Sequence, residues 1–285
     1  DLTYVSGRRG FPAWPSSLDP AGQSLKNLES KRHRAGRSDP MADREGNEDE
    51  MKGSFFFLFR PDPKDVQADG PRESHFRTGQ VEFRGNYKDG ELDGLQEWFH
   101  RNGQVRERQA YAGGRKDGPW EMFHDNGQLR SRGTFVDGKR TGPFEVLYSN
   151  GQRRSRGTHK DDERDGPYES YYDNGQLESV GVFAAGKKAG PWESFHVNGQ
   201  LALRGTYKEG LADGLLEWFY DNGRLKVREH YRDGKRDGLY ESYDEEGRLK
   251  TRGAFRNGVV AGPYELYDAD GKVREVGTFK DGAAS

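Results

Sequence analysis

Nine glutamates, Glu73, Glu97, Glu121, Glu145, Glu169, Glu193, Glu217, Glu241 and Glu265, follow one another at intervals of 24 residues. Paired carboxylates whose pKa values are pushed apart can do general acid–base work. That chemistry needs one matched pair in a cleft, and a ladder of equal members offers no unique pair. The expected role is structural, each carboxylate bonding backbone donors or an arginine. His100, His124 and His196 also share one column of the period, which raises the question of a metal. Equivalent positions two strands apart are separated by about 9.6 Å, whereas zinc ligands sit about 2.0–2.1 Å from the metal. Tyr148, Tyr172 and Tyr220 replace histidine in that column, which suits a structural role. No metal ligands and no cofactor are expected. The glycines match no phosphate-binding loop that opens a helix, and the Asp-Gly turns lack the short period of calcium-binding repeats. No Ser/His/Asp or Cys/His grouping stands at meaningful spacing. No catalytic residue is assigned, and an enzyme is the least expected class.

These columns exist because the chain repeats. The glycine of an Asn-Gly-Gln motif recurs at Gly79, Gly103, Gly127, Gly151, Gly175, Gly199, Gly223, Gly247 and Gly271, always 24 residues on. A second glycine series, Gly70 to Gly262, keeps the same interval. A strict period of roughly 20–50 residues marks an array of supersecondary units. In the unit that begins at Gly118, Trp120 to His124 and Gln128 to Phe135 have β character. Asp125-Asn126-Gly127 separates them and Asp137-Gly138 follows, both turn sequences. No stretch has helical apolar spacing. The fold class is therefore all-β: an elongated array of nine antiparallel β-hairpin repeats forming one twisted, ribbon-like sheet. About 18 strands at ~4.8 Å each would span on the order of 85 Å.

The loop length follows from the side chains. A three-residue loop ending in a left-handed Gly127 pairs Phe123 with Leu129 and, by alternation, gathers Gly133 and Phe135 on the same face. Trp120 then lies opposite Arg132 on the other face, where ring and guanidinium can stack for roughly 0.5–1 kcal/mol. Two roles are open to this aromatic column. It can grip a partner, or it can lie half-buried over glycines of neighbouring strands, and the second is the favoured reading. Under the first, Trp98, Trp120, Trp192, Trp218, Tyr168, Tyr240 and Tyr264 form the candidate interaction surface.

Composition narrows the function. Of 285 residues, 31% are hydrophobic and 33% charged, yet there are 16 Phe, 14 Tyr, 5 Trp and 40 Gly. Disordered chains are polar but poor in aromatics, so a thin structure held by hairpins and ring contacts is expected. A net charge of -2 gives no electrostatic footprint for nucleic acid and no polybasic membrane signal. Without cysteine there are no disulfides, thiolate metal sites or thiol nucleophiles. The best hydrophobic run, Phe55 to Phe59, is too short for a transmembrane helix, and a cytoplasmic location is expected. Residues 1–69 carry no period. They hold scattered prolines, the basic run Lys31 to Arg34 and an acidic patch from Glu45 to Glu50. They are expected to be a largely disordered leader, with Met41 and Met51 as candidate native starts, followed by nine repeats over 70–285.

The pattern in Gly190, Trp192, Phe195, Asn198, Gly199, Gln200, Leu201, Gly205, Tyr207 and Gly210 resembles the MORN repeat variant. It looks like the bacterial YwqK family of antitoxins. Asp162, Gln109 and Glu229 depart from expected glycines and Arg153 from an expected leucine, which puts individual turns in question. The resemblance implies a hairpin array, protein interaction and, by label, neutralisation of a toxin. The leading expectation is a non-enzymatic scaffold binding a protein, a toxin or another. Cell-wall or glycan binding through the aromatics is an alternative. So is membrane-lipid association of the kind linked to eukaryotic MORN proteins, which the charge does not support. An open strand edge would also permit end-to-end self-association.

Overall fold

The structure is a computed structural model that describes residues 69–280 and 282–284. The leader expected over residues 1–69, with Met41 and Met51, lies outside the described residues except for Asp69. Every regular element described is a β-strand, and strands pair antiparallel with their neighbours in the chain. No helix among the described residues is long and apolar enough to cross a membrane. The described residues fall into two compact units.

The first unit holds residues 69–201 and Tyr207–Gly210. It contains whole hairpins such as Gly94–Phe99 with Val105–Ala112, Arg115–Phe123 with Leu129–Val136, and Lys139–Leu147 with Arg153–Lys160. The second strand of each hairpin pairs with the first strand of the next. The second unit holds Ala202–Thr206 and the residues from Leu211 on. There Leu211–Phe219, Leu225–Arg232, Lys235–Tyr243, Leu249–Arg256, Gly262–Tyr267 and Val273–Lys280 pair in succession.

The turn geometry matches the three-residue loop. The His124 amide donates to the Gln128 carbonyl at 2.8 Å, and the Gly127 amide donates to the His124 carbonyl at 2.9 Å. Gly127 has φ +80, a left-handed conformation that costs a side-chain-bearing residue and suits glycine. The same closing bond recurs in all nine Asn-Gly-type turns, from Gly79 to Gly271. The connection to the next repeat is tighter. Asp137 and Gly138 both have positive φ, +48 and +83, the mirror-image two-residue turn that matches strand twist. Asp162 replaces the glycine of one such turn at φ +73. Its carboxylate accepts from the Arg140 backbone amide at 3.0 Å, which offsets the strain and keeps the turn.

The register differs from expectation on one point. Phe123 pairs with Leu129 as predicted, but a bulge between Met122 and Phe123 passes over Arg130. Beyond it Glu121 faces Arg132 and Trp120 faces Gly133. One extra residue exchanges the faces of everything past it. Phe123 and Leu129 therefore share a face with Glu121 and Arg132, while Gly133 and Phe135 share the opposite face with Trp120. Grouping all apolar positions on one face was the wrong criterion, because both faces carry apolar residues.

Candidate interaction surface

One face of the array is a ladder of charges. Arg84 Nε donates to Glu73 at 2.8 Å, Arg108 Nε to Glu97 at 2.9 Å, and Arg156 Nε to Glu169 at 2.8 Å. Glu145 is gripped from both sides, by Arg132 at 2.7 Å and by Arg153 at 2.7 Å. Arg153, the departure from leucine, thus joins the ladder. In the second unit Glu217 accepts from Arg204 at 2.6 Å and Arg228 at 3.1 Å, and Arg228 reaches Glu241 at 3.3 Å. The Arg156 bond holds the Glu169 carboxyl below its ordinary range. Burial pushes Glu145 up, but its two arginines outweigh that and lower it. Carboxylates fixed this way are hydrogen-bond partners of the scaffold. The arginines also lie over rings, though not over the Trp120 column. Arg108 stands 5.5 Å from the Phe123 centroid and Arg204 5.5 Å from that of Phe219, each on the next hairpin.

The other face is aromatic. Trp120 covers Gly133 so closely that a β-carbon there would meet the indole nitrogen at 2.8 Å. Tyr168, Phe183 and Trp192 form one cluster with ring centroids 5.2–6.1 Å apart. In several repeats a cation that follows the preceding turn caps these rings. Arg164 lies 4.9 Å from Tyr168 and 5.1 Å from Phe183. Lys188 lies 4.5 Å from Trp192 and 5.6 Å from Tyr207. Lys116 and Arg236 stand over Phe135 and Phe255 at 5.0 and 5.2 Å. Such contacts contribute about 0.5–2 kcal/mol each, more as water is excluded.

The repeats at 94–117 and 214–237 depart from this scheme together. The glycine facing the ring becomes Gln109 or Glu229, 0% and 1% exposed. The ring position becomes Gln96 or Leu216, and a tryptophan stands two residues later, Trp98 or Trp218. Gln96 bonds the backbone at the interruption of its strand, accepting from the Asn86 amide at 3.2 Å and donating to the Asp93 carbonyl at 3.0 Å. Glu229 accepts from the Tyr231 hydroxyl at 2.9 Å and pairs with Arg236 at 2.9 Å. Trp98 and Tyr111 have centroids 6.4 Å apart at 55°, and Trp218 and Tyr231 repeat this at 6.4 Å and 51°. Burial raises Tyr111 to about 12 and raises Tyr231 as well. Burial also raises Glu107, which Lys116 approaches at 3.7 Å.

The histidine column ties repeats together. His100 Nε2 lies 3.1 Å from the Phe123 carbonyl and His124 Nε2 3.2 Å from that of Leu147. Tyrosine hydroxyls make the equivalent bond, Tyr148 to the Tyr171 carbonyl at 2.8 Å and Tyr172 to that of Phe195 at 2.7 Å. No metal-binding cluster occurs among the described residues. The asparagines work similarly. Asn126 accepts from its own Gln128 amide at 3.0 Å and donates to the Ser149 carbonyl of the next turn at 3.0 Å.

Of the seven candidate surface residues, Trp120, Tyr168, Trp192, Tyr240 and Tyr264 are buried among the strands, Trp192 to 2% exposure and Tyr240 to 0%. Trp98 and Trp218 are partly exposed, and each has a tyrosine beside it. Sequence reasoning missed those tyrosines and the capping cations. Lys116, Arg140, Arg164, Lys188 and Arg236 recur at multiples of 24, and that basic column was the available signal.

Five segments, residues 92–112, 116–137, 164–184, 212–233 and 262–281, match the MORN repeat variant. The hairpins between them, such as Lys139–Leu147 with Arg153–Lys160, have the same turn and register without being matched. No curated protein matches the chain. Among solved structures, a chain in the crystal structure of TcdB2-TccC3-Cdc42 is similar at 11% identity and a TM-score of 0.20. That likeness covers 75% of this chain and only 14% of the other, and it carries no argument about fold or function.

Proposed function

We propose that this array of MORN-type repeats is a non-enzymatic scaffold that holds a protein partner, the resemblance to YwqK antitoxins making a toxin the specific candidate. The observation that carries the reading is the engagement of the chemically capable columns. Glutamates are clasped by arginines, and histidines bond carbonyls of the next hairpin. What remains at the surface is a regular lattice suited to binding. Burial of Trp120, Tyr168, Trp192, Tyr240 and Tyr264 leaves only Trp98 and Trp218 of the candidate rings for a sugar to stack on, which disfavours a repeated glycan-binding array.

Affinity purification of the full chain from native lysate, read by mass spectrometry, tests the scaffold reading. One stoichiometric protein partner is expected. Recovery of envelope glycan or lipid alone would overturn it. The antitoxin form requires more: the partner alone must arrest growth, and co-expression of this chain must relieve the arrest.

A further inference from the structure

We infer that Trp218 and Tyr231, in the repeat at 214–237, form a docking box for a lysine or arginine side chain presented by a protein partner. The inference rests on the protein-binding reading above and adds the chemistry of one contact.

The array supplies its own precedent. In several repeats the residue that immediately follows the two-residue turn and its first strand residue is a cation lying on the aromatic rings of the next repeat. Arg164 sits between Tyr168 and Phe183 at 4.9 and 5.1 Å, and Lys188 sits between Trp192 and Tyr207 at 4.5 and 5.6 Å. Arg236 stands over Phe255 at 5.2 Å. In front of Tyr231 the equivalent position is Ala212, which has neither charge nor reach. Trp218 and Tyr231 are both partly exposed. Their centroids are 6.4 Å apart at 51°, an open pair of π faces. Ring faces attract cations, and arginine and lysine are the common occupants.

A second copy of the pair sharpens the assignment. Trp98 and Tyr111 have the same separation, 6.4 Å, but Leu92 stands where Ala212 stands in the later repeat. Phe83 also stands against Trp98 there, with ring centroids 5.3 Å apart. The box at Trp218 is thus the one that an external cation can enter with least obstruction. Glu229 beneath it is paired with Arg236 and Tyr231, so the attraction comes from the rings.

The test uses the full chain, labelled with nitrogen-15, and follows the indole signals of its tryptophans. The probe is the peptide Gly-Gly-Arg-Gly-Gly with blocked ends, and its citrulline counterpart is the uncharged control. A saturable shift of the Trp218 signal with the arginine peptide and not with the citrulline peptide is expected. Ala212→Arg should weaken that binding at least tenfold by filling the box from within. It should fold, since arginine occupies this place at Arg140, Arg164 and Arg236. Lys188→Ala should open a new box and make the Trp192 signal respond. The inference is overturned by an unmoved Trp218 signal in the wild-type chain, by equal binding of both peptides, or by undiminished binding in a folded Ala212→Arg. It is also overturned if tetramethylammonium or phosphocholine binds far more tightly than the arginine peptide, which would assign the rings to a quaternary headgroup. Failure of the scaffold reading is distinguishable. Peptide binding with no protein partner in the purification leaves the box standing and removes the scaffold. A partner retained equally by Ala212→Arg leaves the scaffold standing and removes the box.

Discussion

Glu169 shows what the charged ladder does to acid stability. Its carboxyl lies below the ordinary range because Arg156 bonds it at 2.8 Å, and Tyr171 also donates to it. A carboxylate with a lowered folded pKa contributes stability that is fully present above the unfolded value, about 4.3, and lost as pH falls through the folded one. Glu145 acts in the same direction and buried Glu107 in the opposite one. The Arg156 side chain is about half exposed, so the share of Glu169 is under about 1 kcal/mol. Glu169→Gln is expected to flatten the dependence of stability on pH below about 4.3, where wild-type carboxylates protonate. Urea denaturation at a series of pH values measures it; an unchanged slope would show the ladder to be energetically idle. The structural role of the glutamates was legible from the sequence, since nine equal carboxylates cannot make one active pair. The identity of the stacked ring was not. Nothing in a single repeat reveals that Arg108 reaches Phe123 of the next hairpin.

At the level of the hairpin, the close contact is Trp120 over Gly133. A methyl group at Gly133 would meet Trp120 atoms at 2.8–3.0 Å, and Trp120 is buried. Gly133→Ala should destabilise its hairpin by about 1–3 kcal/mol, the usual range for overpacking. In a Trp120→Leu background the same change should cost clearly less, because the ring is the obstacle. A double-mutant cycle by denaturation measures the coupling, and purely additive effects would refute the contact. The repeat at 214–237 departs on both sides of this pair at once, with Leu216 in place of the ring and Glu229 in place of the glycine. Loop length was readable from Asn126-Gly127 because only one turn brings Phe123 to Leu129. The bulge after Met122 was not, since apolar residues on both faces hide the change of phase it causes. It decided which face Trp120 occupies.

Across the molecule, the period is the unit of construction. Between Arg115 and Tyr172 successive hairpins meet through the same strand pairing, carbonyl bonds from His or Tyr, and an asparagine contact. Stability of such arrays approximates a sum over nearest neighbours. Excision of Gly142–Asp165, one whole period, should therefore leave the remaining hairpins folded. Excision of its first half, Gly142 to Arg153, should unravel the neighbours of the cut. Hydrogen exchange reads both, and loss of protection throughout the whole-period deletion would show that the repeats are not interchangeable. The period, the residues that close each turn and the basic column were legible in the sequence, whereas the rings that the column caps were not, because its cations act from the turn of one repeat on the rings of another. The asparagine contact carries a chemical consequence of its own. Asn-Gly is the peptide sequence most prone to ageing, since the glycine nitrogen can attack the side-chain carbonyl and expel ammonia, and water then opens the resulting succinimide to aspartate or isoaspartate. Asn102, Asn126, Asn150, Asn174 and Asn222 each hold that amide to the carbonyl of the following turn. The bond that aligns the repeats thereby immobilises their most perishable group, and deamidation at these asparagines becomes a chemical clock for how often each turn lets go of the next.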